Sequence, residues 1–370
     1  MPHSLSPLDL RSDTLTRPTP PMRAAIAAAE VGDDVFGEDP TVQALQRRAA
    51  ELTGMEASLW VPTGTMANQI ALLAHCRRGD EVVVGWGAHS YLYEGGAGAA
   101  FAGVQFNVLS ARDPSECRGF FSPEDLSAAL TGVDPSGHRP PVTLVMLENT
   151  HNRGGGRVMS PKRLSALAEI ARDKGVPVHI DGARLPNAAA ALSEPMSAWG
   201  SQVSSLTFCL SKGLGAPAGS MLCGDAQFIR AAHRWRKALG GGLRQVGVLA
   251  AAGLYALDHH LGELSRDHAH ARRLAHALAR RPDARVNPEA VESNIVLFEP
   301  VGCTQAELCA RLAPWARVLP FGEAHVRAVL HRDIDEGALE RALIGIAGHS
   351  TEHSTAHSRA HSTAHTGELT

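Results

Sequence analysis

The chain has no excess of charge of either sign: 35 Lys and Arg stand against 38 Asp and Glu, mixed throughout, for a formal net charge of -3. That balance removes the electrostatic case for nucleic acid or an anionic membrane as a partner. No Cys-x-x-Cys pair occurs among the six cysteines (Cys76, Cys117, Cys209, Cys223, Cys303 and Cys309). Several sit in apolar runs where a thiol packs as a small hydrophobe, and a reducing cytoplasm is the natural compartment; no metal cluster is expected. No uninterrupted apolar stretch is long enough to span a bilayer, and the first residues lack a basic segment followed by an apolar one, so neither anchoring nor export is expected.

What remains is an ordinary globular composition. With 370 residues and 44% hydrophobic content, the chain can bury a substantial core and is expected to divide into two domains. Residues 1–40, punctuated by Arg17-Pro-Thr-Pro-Pro21 and Gly32-Asp-Asp34, read as an extended arm with one helix over 22–29, of a kind that wraps a neighbouring surface. Over 41–255 short apolar strands (57–61, 81–85, 142–147, 177–180, 205–209 and 220–223) alternate with helices (41–52, 64–76 and 161–174). That pattern predicts an α/β domain built on a mostly parallel sheet covered on both faces. Ala-rich helices over 226–239, 244–261 and 260–280 form the bridge out of it. A small α+β domain over 256–347 follows, with strands 294–298, 317–319 and 326–330 and helices 304–312 and 334–346. From 348 to 370 the Ser/Thr/Ala/His mixture has almost no large apolar residues and is expected to be disordered.

Two residues carry most of the chemical signal. Asp181 ends the strand-like run Val176-Pro-Val-His-Ile180, and Lys212 follows in the small-residue segment Phe208-Cys-Leu-Ser-Lys-Gly-Leu-Gly-Ala-Pro-Ala-Gly-Ser220. Either alone reads as a turn residue or a solvated lysine. Together they supply what pyridoxal phosphate requires: an amine to condense with its aldehyde and a carboxylate to keep its ring nitrogen protonated. Pro62-Thr-Gly-Thr65 joins a strand to a helix, where free backbone N–H groups suit a phosphate, although such turns are more often plain Thr-capped connections. His89 follows the next strand, where a flat imidazole can lie over a bound ring or simply fill a half-buried loop. Arg184, three residues beyond Asp181, can reach a substrate carboxylate or form a structural ion pair; the same choice faces Arg327 on a strand of the small domain. Lys237 and Arg244 flank a triple glycine and suit a phosphate, one belonging to another subunit, or else merely decorate a helix connection.

Read jointly, the motifs resemble the low-specificity L-threonine aldolases, fold-type I pyridoxal-phosphate enzymes of the β-eliminating lyase group. They are Asp9-Leu-Arg-Ser-Asp-Thr14, Gly32-Asp-Asp-Val-Phe-Gly-Glu-Asp-Pro40, Pro62-Thr-Gly-Thr-Met-Ala-Asn68, Glu148-Asn-Thr-His-Asn152, His179-Ile-Asp-Gly-Ala-Arg184, Cys209-Leu-Ser-Lys-Gly213 and Gly240-Gly-Gly-Leu-Arg-Gln245. The resemblance runs in order from residue 8 to about 345. It implies a fold-type I, transferase-like architecture and a homo-oligomer, a dimer of dimers. It implies Lys212 as the Schiff-base lysine, Asp181 as the pyridinium partner, Gly64 and Thr65 as phosphate ligands, and His89 stacked on the ring. Ser12, Arg184 and Arg327 would hold the substrate carboxylate, and Lys237 and Arg244 would reach a phosphate in the adjacent subunit. His138, ten residues before Glu148, matches a second family histidine near the substrate hydroxyl. Two departures stand out: Phe36 replaces the family's tyrosine, and Arg327-Ala-Val-Leu-His331 replaces the commoner Arg-Leu-Val-Thr-His.

The reaction so implied is retro-aldol cleavage of L-threonine or L-allo-threonine to glycine and acetaldehyde, with His89, His138 or a water held by them as the base. Two other readings compete: β-elimination or transamination on the same fold, and a non-catalytic cofactor-binding regulator. The last would need a spare globular segment, and the sequence has none.

Overall fold

The computed structural model describes residues 6–110, 119–131 and 136–348; the expected tail from 349 onward lies outside the described residues. Numbered in chain order, the strands are β1 Leu8–Asp9, β2 Ala57–Val61, β3 Glu81–Gly85, β4 Gln105–Leu109, β5 Val142–Glu148, β6 Val178–Asp181, β7 Ser205–Cys209 and β8 Ser220–Gly224. They continue with β9 Ala284–Arg285, β10 Ile295–Pro300, β11 Ala316–Arg317, β12 Leu319–Phe321 and β13 His325–Val329. A seven-stranded sheet runs in the order β2-β8-β7-β6-β5-β3-β4. All its pairings are parallel except the two made by β8. β3, β7 and β8 are buried along their whole length; β3 accordingly reads in the sequence as the apolar run Val82-Val-Val84, whereas β7 buries the polar Ser205 and Thr207 among its apolar residues. β4, at the sheet edge, interleaves Gln105 and Asn107 with its apolar residues, lacks such a run, and was not legible.

Helix ends follow from local chemistry. Helix Pro40–Thr53 starts under an Asp39 cap with proline in the first turn and stops at Gly54 in the left-handed conformation. Helix Pro161–Asp173 has a Ser160 cap, and helix Gln305–Leu312 a reciprocal Thr304–Glu307 capping box. The helix expected over 260–280 begins only at Leu264, because Leu261–Glu263 forms a separate 3-10 turn.

A second, four-stranded antiparallel sheet, β12-β13-β10-β9, carries its own core with Phe298, Leu308 and Leu339. Ala256, Leu257 and Leu264 still pack in the first core and Ala271 and Leu274 in the second, so one helix, Leu264–Leu278, serves both. The start of the arm packs on its own chain: β1 pairs in parallel with β11, and Leu10 is fully buried in the second core. Burial of one such leucine side chain is worth roughly 1.5–3 kcal/mol.

Asp267, on the shared helix, is buried with neither carboxylate oxygen hydrogen-bonded. Burial pushes its pKa up to about 7, with Arg266 and Arg332 opposing and Asp13 and Glu263 adding to the rise. The folded chain therefore holds a proton that the unfolded chain releases near 3.8, so stability is full below that value and falls as pH rises towards 7. Asp267→Asn is expected to raise stability by about 2–4 kcal/mol at pH 8 and to leave it nearly unchanged at pH 4. Urea titrations of both chains at the two pH values check this.

Candidate active site

The carboxyl ends of the parallel strands converge on one edge of the large sheet, where open α/β sheets place ligands. Thr63 follows β2 and caps helix Gly64–His75 by accepting from Met66 N–H at 3.1 Å. The N–H groups of Gly64 and Thr65 are left without an acceptor among the described residues, which makes an anion site at a positive helix end. A Cβ on Gly64 would stand 2.9 Å from the Cys209 sulfur, so only glycine lets this turn close onto the end of β7.

Asp181 is the last residue of β6 and 3% exposed. Its Oδ2 accepts from Asn68 Nδ2 at 2.8 Å and its Oδ1 from Ala183 N–H at 3.2 Å. Lys212 lies three residues past β7. Its carbonyl accepts from Thr16 Oγ1 at 2.8 Å, while its amine donates to no side chain among the described residues. His89 opens the turn His89–Leu92; its backbone N–H donates to Glu148 Oε2 at 2.7 Å and its Nδ1 lies 3.1 Å from Glu94 Oε1. Burial presses the His89 pKa down, but the Glu94 hydrogen bond and the charges of Asp181 and Glu148 outweigh it and hold the imidazole above its usual value.

Two arginines meet beside this set. Arg327, on β13, donates from Nη1 to Asn152 Oδ1 at 2.8 Å and from Nη2 to the Arg11 carbonyl at 3.2 Å, and stacks 4.4 Å over Phe321. No carboxylate among the described residues pairs with it. Burial, then the nearby Arg184, lowers its pKa to about 10, the condition of a cation awaiting an anion. Arg184 has Nε and Nη2 engaged by both oxygens of Asp13 at 2.7 Å, so the structural ion pair foreseen as its alternative is present. Its Nη1 is the atom left for a ligand. Ser12, half-buried, sits between Arg11 and Asp13, with its Oγ accepting from Thr14 Oγ1 at 2.8 Å.

The structure does not bring every expected residue to this place. His138 is exposed and precedes β5 by four residues, whereas the site lies beyond β5's other end at Glu148. Seven strand residues span about 20 Å, so within its own chain His138 cannot act beside His89. Lys237 and Arg244 are exposed, the latter paired with Asp33 at 3.2 Å, and neither joins the buried set. Conversely, Glu94, Asn68, Glu148, Asn152 and Asp13 hold the site together, although the sequence reading assigned none of them a role. For Glu94 the available signal was a lone acid five residues after His89 in the otherwise uncharged Tyr91-Leu-Tyr-Glu-Gly-Gly96.

Comparison with known proteins agrees with this geometry. The family model described as beta-eliminating lyase matches residues 9–300. The chain is 42% identical over 332 residues to the low specificity L-threonine aldolase of Escherichia coli (strain K12), covering 90% of this chain and 96% of that one. It is 44% identical over 293 residues to low-specificity L-threonine aldolase 1 of Arabidopsis thaliana, covering 79% and 81%. Among solved structures it superposes on the threonine aldolase of Leishmania major with a TM-score of 0.78 at 20% identity, over 93% of this chain and 100% of that one. The Sphingomonas wittichii serine palmitoyltransferase shares the fold at a TM-score of 0.68 and 16% identity, over 92% and 86%. A lysine, a buried aspartate and a histidine thus meet at one sheet edge in a chain that belongs to the beta-eliminating lyase family.

Proposed function

We propose that this chain binds pyridoxal phosphate and cleaves L-threonine and L-allo-threonine to glycine and acetaldehyde. The observation that carries the reading is a half-buried arginine, Arg327, that has no carboxylate partner among the described residues, beside a set that fits this cofactor. That set comprises an unpartnered amine at Lys212, a buried acceptor at Asp181, and two free N–H donors at Gly64 and Thr65. Bound there, the cofactor would supply a ring that takes up the electron pair released when a Cα bond breaks.

The protein's own contributions follow from the geometry. Asp181, held by Asn68 and Ala183, is fixed to keep a proton at the ring nitrogen. Arg327, with Ser12 and Nη1 of Arg184, would grip the substrate carboxylate and so orient the bonds at Cα, selecting the one whose electron pair a bound cofactor would be placed to accept. With Cα–Cβ so placed, His89 or a water on it removes the β-hydroxyl proton. His89 acts as a base only when neutral, so its raised pKa moves the rise of activity with pH towards higher pH. Lys237 and Arg244, exposed beside Gly240-Gly-Gly242, are assigned to a phosphate of a second copy of the chain. The assembly proposed is a homo-oligomer, a dimer of dimers, in a reducing cytoplasm, in keeping with the unpaired state of all five described cysteines. No helix among the described residues is long and apolar enough to cross a membrane.

Product analysis with each substrate tests the reading. Equimolar glycine and acetaldehyde is the expected outcome; ammonia with 2-oxobutanoate would mean that Cα–H breaks and would overturn it. In the same assay Asp181→Asn is expected to lower kcat by about 10²–10³-fold, and near-normal turnover would refute the proton-holding role.

A further inference from the structure

Glu94 is buried, and each of its carboxylate oxygens accepts from a side-chain amide. Its Oε2 accepts from Gln69 Nε2 at 2.7 Å, and its Oε1 accepts from Asn68 Nδ2 at 2.7 Å and lies 3.1 Å from His89 Nδ1. Asn68 spends the other hydrogen of the same nitrogen on Asp181 Oδ2, at 2.8 Å, and so bridges the two carboxylates. A carboxylate surrounded in this way has no acceptor to which a proton of its own could point. The remaining neighbour, His89 Nδ1, must therefore be a donor.

We propose that Glu94 is a positioning residue which fixes His89 with its proton on Nδ1, leaving Nε2 as the nitrogen that gains and loses a proton at the site. The proposal rests on the reading of His89 as the base over the cofactor ring. It assigns the Asn68 bridge a purpose as well: the acid that holds the ring nitrogen and the acid that orients the base are set by one amide. The charged groups facing His89 are Glu94 from the following loop, Glu148 from β5 and Asp181 from β6; Tyr93 lies 5.6 Å away, ring to ring. From helix Gly64–His75 come only the neutral Asn68 and Gln69.

The test reads the imidazole directly. The full chain, freed of cofactor, is treated with diethylpyrocarbonate across a pH series alongside a short unstructured histidine peptide, and modification of His89 is followed by peptide mass spectrometry. The His89 side chain is 33% exposed and within reach of the reagent. In the wild-type chain the His89 midpoint is expected above that of the free peptide, and in Glu94→Gln it falls, whereas Glu94→Asp, which keeps the charge, recovers part of the difference. In the cofactor-loaded enzyme Glu94→Gln is expected to lose about 10²-fold in kcat with KM nearly unchanged. A wild-type His89 midpoint at or below that of the free peptide overturns the proposal even if no variant folds, and so does an unmoved midpoint in a folded Glu94→Gln chain. Because the modification needs no turnover, wrong products with a normal titration would refute the proposed function, and right products with a failed titration would refute the role of Glu94.

Discussion

Replacing Lys212 by alanine is expected to lower turnover of L-threonine by about 10⁴–10⁶-fold, the scale on which enzymes lose activity when the residue that bonds covalently is removed. The side chain is available for this work because the loop is anchored through the Lys212 carbonyl, which accepts from Thr16 Oγ1 and Gly215 N–H, while the amine donates to no side chain among the described residues. The alanine variant keeps both anchors, so its thermal unfolding should match that of the wild type while its activity and its visible cofactor absorption vanish together. Kinetics, a melting curve and an absorption spectrum of each chain decide the matter. Retained turnover above about 1% would remove Lys212 from the chemistry.

Asp13→Asn should show the opposite pattern, a large loss of stability that precedes any effect on chemistry. The side chains of Asp13 and Arg184 are 0% and 6% exposed and joined through both carboxylate oxygens. Burial works to raise the Asp13 pKa, but Arg184, Lys212 and Asn294 hold the carboxyl far below the usual range. A carboxylate so depressed stabilises the fold at every pH above the unfolded value near 3.8, and the contribution is lost as pH falls below it towards the folded value. Asparagine leaves the Arg184 charge buried without a counter-charge, at an expected cost of about 3–5 kcal/mol near neutral pH. The gap between the two chains should narrow in strong acid. Denaturant melts at pH 7 and pH 3 provide the comparison, and a loss below about 1 kcal/mol at pH 7 would mean that the pair is solvated.

The two predictions mark where the sequence was legible. β2 and β3 fall where the runs Leu59-Trp-Val61 and Val82-Val-Val84 place them, and β7 falls as expected although Ser205 and Thr207 alternate with its apolar residues. Asp181 and Lys212 were legible because each follows such a run within a few residues. The acids that orient the site were not. Asp13 and Glu94 act through contacts 171 and 26 residues away in sequence, with Arg184 and Asn68, and no local pattern encodes a partner at that separation. His138 shows another limit: its spacing from Glu148 matches a family histidine, yet β5 sets the two at opposite ends of one strand, so sequence spacing alone does not bring it beside His89 within one chain.

The first residues of the chain meet partners made almost last. The Arg11 carbonyl accepts from Arg327 across 316 residues and the Asp9 carbonyl from His331 across 322, while Ser12 and Asp13 follow directly beside the candidate site. During synthesis β1 has no strand partner until β11 has left the ribosome, so the large core can form well before these contacts around Arg327 do. Pairings of such long reach are slow to close. The catalytic edge should therefore be the last part of the chain to acquire its native shape, with cofactor-binding competence appearing before aldolase activity in a refolding time course.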